Sequence, residues 1–208
     1  MPLNTLSQDG ETGMSIKELL KNKVFWLLIL MMMCAGASEQ SVSQWASALM
    51  EKGFGITKTV GDLIGPMAFA IFMGTARLFY GKYGDKIRLD RFMTFSCILA
   101  ITAYLGVALL PIPALSLICC ALCGLSVGIM WPGTFSSAAV VLKRGGTAMF
   151  ALLALSGDLG CSLGPSLVGF VSGLSNDNLK MGILVAIIFP VLLLFGVRLC
   201  RKNKINRF

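Results

Sequence analysis

The sequence predicts an all-α fold, a polytopic membrane helix bundle with six transmembrane helices. Apolar residues make up 56% of the 208-residue chain and charged residues only 13%, against about 25% charged in soluble domains. Mean hydropathy is +0.80. The 18 basic and 10 acidic residues crowd into short patches between long uncharged runs, the pattern of a chain that crosses a bilayer repeatedly.

Crossing about 30 Å of hydrocarbon takes roughly 20 helical residues. Segments of that length occur at 24–50, 57–80, 90–110, 114–142, 146–173 and 179–199. Residues 1–22 read as a polar cytoplasmic segment rather than a signal peptide, and within it Ser15 and Glu18 have the spacing of a capping box that opens a short amphipathic helix. Turn chemistry separates the spans: Gly53-Phe54-Gly55 after the first, Pro111-Ile112-Pro113 after the third and Lys143-Arg144-Gly145-Gly146 after the fourth. The bundle occupies residues 23–202, and residues 203–208 are a basic cytoplasmic tail.

With six spans the flanking segments alternate sides. One set collects Lys17, Lys21, Lys23, Arg77, Lys82, Lys86, Arg88, Arg91, Lys143, Arg144 and the five basic residues from Arg198 to Arg207, while the other has only Lys52, Lys58 and Lys180. The excess of Lys and Arg marks the cytoplasmic side. Both termini are therefore expected in the cytoplasm of a multi-pass cell-membrane protein. The net charge of +8 then follows from topology and implies the lipid bilayer, not nucleic acid, as partner.

The chain contains no His, which removes His-based acid–base catalysis and most zinc sites. No phosphate-binding loop, nucleophile elbow or zinc-protease motif is present. No catalytic residues, metal or cofactor are expected, and the chain does not read as an enzyme. The seven Cys are an odd number, and six lie inside apolar runs, where they read as small buried residues. Cys120 and Cys123 have CxxC spacing but sit mid-span without a second pair.

Within the spans, Gly61/Gly65, Gly124/Gly128, Gly160/Gly164 and Gly169/Gly173 have the spacing of close helix packing. Pro66, Pro132, Pro165 and Pro190 lie inside spans, where each frees a backbone carbonyl and permits a bend. A carboxylate at membrane depth costs about 2.5–3.5 kcal/mol on insertion scales, so it normally faces a partner or a cavity. Glu39 and Asp158 are so placed. At 100° per residue, Glu39, Gln40, Ser43, Gln44, Ser47 and Glu51 form a stripe within about 140°, with Val42, Trp45 and Leu49 pointing elsewhere. That stripe is expected to line an aqueous cavity, with Glu39 and Asp158 as hydrogen-bonding or protonatable groups. Trp45 and Trp131 offer stacking surfaces. Arg77 is expected at the cytoplasmic end of its helix, which leaves mid-span without a cation and favours a neutral or cationic solute.

The loop after the second span reads Gly81-Lys82-Tyr83-Gly84-Asp85-Lys86-Ile87-Arg88-Leu89-Asp90-Arg91. It resembles the signature loop of major facilitator superfamily transporters, G-x-x-x-D-[RK]-x-G-[RK]-[RK]. Gly81, Asp85 and Lys86 match, Arg88 replaces the second Gly, and Asp90 interrupts the basic run. The looseness is similar to the family's second copy of the loop. On the fifth span Gly160, Gly164, Pro165 and Gly169 resemble the family's G-x-x-x-G-P-x-x-G helix motif, with the last Gly one place late. The segment from Gly128 through Trp131 and Pro132 to Gly133 is similar to bacterial sugar-transporter members.

Residues 15–202 thus resemble the carboxy-terminal six-helix half of a twelve-helix carrier, and residues 1–22 the central loop. The resemblance implies alternating access around a midplane site for a small-molecule solute, a sugar among the candidates and proton coupling among the modes. It implies a homodimer or a separate amino-terminal six-helix half as partner. The expected solute- or proton-binding residues are Glu39, Gln40, Gln44, Trp45, Trp131 and Asp158. Arg77, Gly81, Asp85, Lys86 and Arg88 are expected to form a conformational latch, with the Asp85 carboxylate capping a helix end and pairing with Arg77 or a neighbouring cation. Gly128, Pro132, Gly160, Gly164, Pro165 and Gly169 are expected to pack and bend helices. The other expectation is a split or truncated chain with a structural or interaction role.

Overall fold

In a computed structural model, residues 13–54 and 57–205 are described. Residues 1–12, 55–56 and 206–208 lie outside that set, and with them most of the central-loop-like segment, Gly55 of the first turn and Arg207 of the tail. The described residues form the helices α1 (Ile16–Lys21), α2 (Lys23–Ser43), α3 (Ala46–Phe54), α4 (Lys58–Tyr83), α5 (Leu89–Leu109), α6 (Pro113–Val127), α7 (Met130–Val141), α8 (Gly146–Leu174), α9 (Leu179–Ala186) and α10 (Ile188–Ile205). A 3₁₀ turn, Gly84–Lys86, leads from α4 to α5. Six stretches are long and apolar enough to cross a membrane: Lys23–Ser43, Leu63–Lys86, Leu89–Leu109, Pro113–Val141, Gly146–Leu174 and Leu179–Arg201.

The capping box forms as expected. Glu18 N donates to Ser15 Oγ at 3.3 Å and Ser15 N to Glu18 Oε2 at 2.8 Å, satisfying two otherwise orphaned amides. Asn22 then caps α2, accepting from Val24 N at 2.9 Å. Just upstream, Met14 N donates to the Arg144 carbonyl at 2.8 Å, which ties the amino segment to the α7–α8 turn.

Two of the six crossings are interrupted, and a third break follows the first crossing. Pro132 and Pro190 lie in the first turn of α7 and α10, where neither can donate to the carbonyl four residues back and the ring crowds it. The chain accordingly breaks at Gly128–Ile129 and at Ile187. Pro66 and Pro165, in contrast, sit inside unbroken α4 and α8. The third break, at Gln44–Trp45, involves no proline and divides the expected 24–50 span into α2 and α3. There the Trp45 indole turns toward α8 and donates to the Pro165 carbonyl at 3.0 Å. At the carboxy end, α10 runs as helix to Ile205, so the sixth helix extends past the expected limit of 199 into the basic tail.

Helix α2 is the axis of the bundle and buries residues along most of its length, from Phe25 to Val42. Lipid offers no hydrophobic reason for helices to associate, so dispersion between closely approaching backbones must do much of that work. Such a seam joins α2 to α8. A Cβ on Gly160 would collide with the Met33 carbonyl, one on Gly164 would lie 2.6 Å from the Ala37 carbonyl, and one on Gly36 would strike the Gly157 carbonyl. A second seam joins α6 to α4, where Gly124 lies against the Phe69 carbonyl and a Cβ on Gly128 would lie 2.8 Å from that of Met73. The pair Gly169/Gly173 behaves differently: Gly169 receives the Trp45 ring and Gly173 faces open space.

Most buried polar side chains are satisfied locally, with Trp131 Nε1 and Ser172 Oγ as the exceptions among the described residues. The Tyr104 hydroxyl donates to the Ser38 carbonyl at 2.6 Å, which pins α5 to α2, while Ser38, Ser41 and Thr134 donate back to carbonyls one turn earlier. Large apolar side chains such as Leu78, Phe170 and Leu174 project outward, as a lipid-facing surface requires. The protein is a multi-pass membrane protein.

We predict that Gly160→Ala and Gly164→Ala each cost about 1–3 kcal/mol through overpacking of a backbone contact. Gly173→Ala should cost nothing or slightly stabilise α8. Unfolding in mixed micelles, followed by Trp fluorescence, measures the three; equal effects would remove the seam as the organising contact.

Candidate functional site

The stripe predicted on the first span lies on the partly open side of the bundle. Val42 and Leu49 are buried, Glu39, Gln40, Ser43 and Ser47 are half-buried, and Gln44 and Glu51 are exposed. Its inner end is closed by an ion pair. Arg77 Nη2 lies 3.1 Å from Glu39 Oε2, at hydrogen-bonding distance. The Glu39 side chain is 13% exposed and that of Arg77 44%. Arg77 therefore does not remain with the loop at the end of its helix, and the mid-span region is not without a cation.

The physical reason is side-chain direction. Helical side chains lean toward the amino end of their own helix, and successive crossings run in opposite directions. Glu39 on α2 and Arg77 on α4 therefore lean toward each other, and the long Arg stem covers the remaining distance. One turn along α4, the Tyr80 hydroxyl donates to Ser136 Oγ on α7 at 3.1 Å. Arg77 thus rises from a stretch of α4 that is held against α7.

Helix α8 brings the second carboxylate. Asp158, Ser162 and Ser166 recur every four residues and are all exposed. Ser162 and Ser166 donate to the carbonyls of Asp158 and Ser162, at 3.3 and 2.7 Å, so the Asp158 carboxylate remains open to solvent. Cys161 lies half-buried beside Gly36 of α2. The α2–α8 seam is what brings the two carboxylates to the same part of the bundle.

The tryptophans separate. Trp131 lies edge-on against Gly157, next to Asp158 in sequence, and packs on Phe135 with ring centroids 6.2 Å apart. Its indole nitrogen is buried and makes no hydrogen bond, an unspent donor at membrane depth. Trp45 instead spends its donor on Pro165 and covers Gly169. In this structure it is a packing element between α2 and α8.

The loop residues Gly81, Asp85, Lys86 and Arg88 are exposed, and Arg77 is engaged with Glu39 instead of Asp85. The carboxylate that gathers cations at this end is Asp90, in the first turn of α5. Its Oδ2 lies 3.6 Å from Arg88 Nη2 and 3.4 Å from Arg201 Nε. An acidic residue in a first helical turn is favoured by the helix dipole, so this position was readable locally. Its contact with Arg201, over a hundred residues away, was not.

A family model described as Major Facilitator Superfamily matches residues 3–165, well over half of the chain. The chain belongs to that superfamily, whose members are membrane transporters. No curated protein and no solved structure matches it.

We predict that Glu39→Gln and Arg77→Gln each destabilise the bundle, because each leaves its partner charged and unpaired at depth. The double variant should be less destabilised than the sum, with a coupling of about 1–2 kcal/mol, reduced from the fully buried case because Arg77 is nearly half exposed. Additive losses in a double-mutant cycle of micellar unfolding would mean that the two side chains do not act as a pair.

Proposed function

We propose that this superfamily protein is one six-helix bundle of an alternating-access carrier for a small polar solute, with sugars in that class, and that transport is coupled to protons at Glu39. The observation that supports the reading best is the Glu39–Arg77 ion pair, made on the partly open side of the bundle and continuous with the Gln40–Ser43–Gln44 stripe. Charged groups at membrane depth are costly and ordinarily serve a pathway or a partner. Protonation of Glu39 neutralises one member of the pair and releases the Arg77 guanidinium, with its several N–H donors, to a solute oxygen. Loss of the proton re-forms the pair and expels the solute. The exposed carboxylate of Asp158 supplies a further polar contact beside the stripe.

A half-exposed polar face needs a second wall, which in this reading is another six-helix bundle, either a second copy or a distinct partner. The two bundles rock about the shared site. The interrupted crossings at Gly128–Ile129 and Ile187 are where helices can bend, and the Asp90 cluster with the loop from Gly81 to Arg88 forms the latch at one mouth. The excess of Lys and Arg on one set of flanking segments supports cytoplasmic termini, and the cell membrane is the proposed location.

Reconstitution in proteoliposomes with a panel of labelled sugars and other small polar solutes, with and without an imposed proton gradient, tests the proposal. Gradient-driven uptake is expected, and Glu39→Gln and Asp158→Asn should lower it by about tenfold or more, roughly 1.4 kcal/mol of lost binding each, with membrane insertion unchanged. Light scattering in mild detergent should give a protein mass near twice the 22.3 kDa of the chain. A 22.3 kDa monomer without uptake of any solute would point instead to a structural or interaction role.

A further inference from the structure

A cavity lies away from the polar stripe, at the end of the bundle where α5 begins and α7 and α10 finish. Its volume is about 540 Å³. The floor is apolar and buried, formed by Met31, Met93 and Val197, with Val140 on a more exposed wall. The rim is charged. Arg88 and Arg201 converge there on one oxygen of Asp90.

Three features distinguish this place from an ordinary surface ion pair. The contacts of 3.6 and 3.4 Å are long for charge-assisted hydrogen bonds, and both arginine side chains are more than half exposed, so most of their N–H donors are unspent. Two guanidinium groups against one carboxylate leave the rim with an excess positive charge, and the exposed Arg198 lies one helical turn from Arg201. Depth is the third feature. Arg88 immediately precedes the crossing Leu89–Leu109, and Arg201 ends the crossing Leu179–Arg201. The rim therefore sits where lipid headgroups lie, and the floor extends toward the hydrocarbon.

We propose that this cavity binds an anionic phospholipid. The phosphate accepts hydrogen bonds from Arg88 and Arg201, displacing part of the Asp90 interaction, and an acyl chain fills the apolar floor between α5, α7 and α10. Planar guanidinium pairs suit phosphate oxygens, and basic pockets between helices at a membrane surface favour anionic headgroups. A zwitterionic lipid brings its own cation and gains less from the rim. Inorganic phosphate cannot use the floor. Bound lipid would join the start of α5 to the ends of α7 and α10, next to the loop from Gly81 to Arg88.

The test is thermal unfolding of the purified protein in neutral detergent, titrated with phosphatidylglycerol, phosphatidylcholine or inorganic phosphate. A ligand that binds only the folded state raises the midpoint in a saturable way. Phosphatidylglycerol should do so by several degrees and the other two should not. The variant Arg88→Gln/Arg201→Gln should need about tenfold more phosphatidylglycerol for the same rise, as should Val140→Trp, which fills the wall at an exposed position and leaves the rim intact. A control, Lys17→Gln/Lys21→Gln, removes two exposed charges from α1 and should leave the titration unchanged. Native mass spectrometry counts the bound lipid independently of how each variant melts. The proposal is overturned if phosphatidylglycerol gives no saturable rise, if the rim and wall variants respond like the parent, or if the α1 control weakens binding as much as they do. An equal rise with phosphate alone would assign the rim to a soluble anion and also overturn it.

Discussion

The arrangement of the molecule depends on how closely α2 and α8 approach. In water, two helices with this many apolar residues would be driven together by burial alone. In hydrocarbon that drive is absent, and contact energy rises steeply as backbones close to within reach of each other's carbonyls. Gly36 on one side and Gly160 and Gly164 on the other permit that approach. Because the contact is backbone to backbone, it fixes rotation and register as well as distance. Gly36 abuts the Gly157 carbonyl, so Glu39 and Asp158 are both carried close to this seam, and Trp131 rests on the same glycine surface at Gly157.

A second constraint is the need to satisfy every backbone group away from water. Two crossings break a few residues before a proline, as the missing N–H and the ring clash dictate. Yet Pro165 leaves α8 whole, and its own carbonyl accepts the Trp45 indole, a bond that coincides with the break after the first crossing at Gln44–Trp45. Serines and threonines return hydroxyl protons to carbonyls within their own helices, and Tyr104 does so across helices. Polar side chains in this protein thus divide between those that serve the backbone and those, chiefly Glu39, Arg77 and Asp158, that do not. The second group is the one to read for function.

That division explains what could be read from the sequence. Six crossings, the Ser15–Glu18 capping box, the Gly160/Gly164 face and the Glu39–Gln40–Ser43 part of the polar stripe are all expressed within one helix or turn, where period and spacing determine geometry. The superfamily was legible in the loop from Gly81 to Arg91 and the α8 motif. The roles of Arg77 and Trp45 were not. Arg77 is near the end of its helix by count, and only the opposed lean of side chains on antiparallel crossings carries it to Glu39. Trp45 falls off the polar stripe, and nothing local announces that its indole N–H will meet Pro165, 120 residues away. Asp90 gave a local signal through its place in the first turn of α5, but Arg201, which completes the cluster, comes from the other end of the chain.

The exposure of the Glu39–Arg77 pair bears on what it can do. A fully buried pair costs several kcal/mol to desolvate and resists separation, whereas a solvated one contributes about 0–1 kcal/mol. This pair lies between those limits, with the carboxylate largely covered and the guanidinium nearly half exposed. Arg77 can therefore be approached by a solute while Glu39 stays shielded. In the proposed carrier that asymmetry separates two tasks: the accessible member exchanges partners, and the shielded member takes or gives the proton that allows the exchange. A rivet between α2 and α4 would be better placed with both ends covered. These helices also meet little elsewhere along their length, since α4 packs mainly against α3 and α6, so the pair spans a gap instead of reinforcing a contact. A charge pair across a gap, half open to solvent, holds the bundle less firmly than a covered one would and is better suited to being opened.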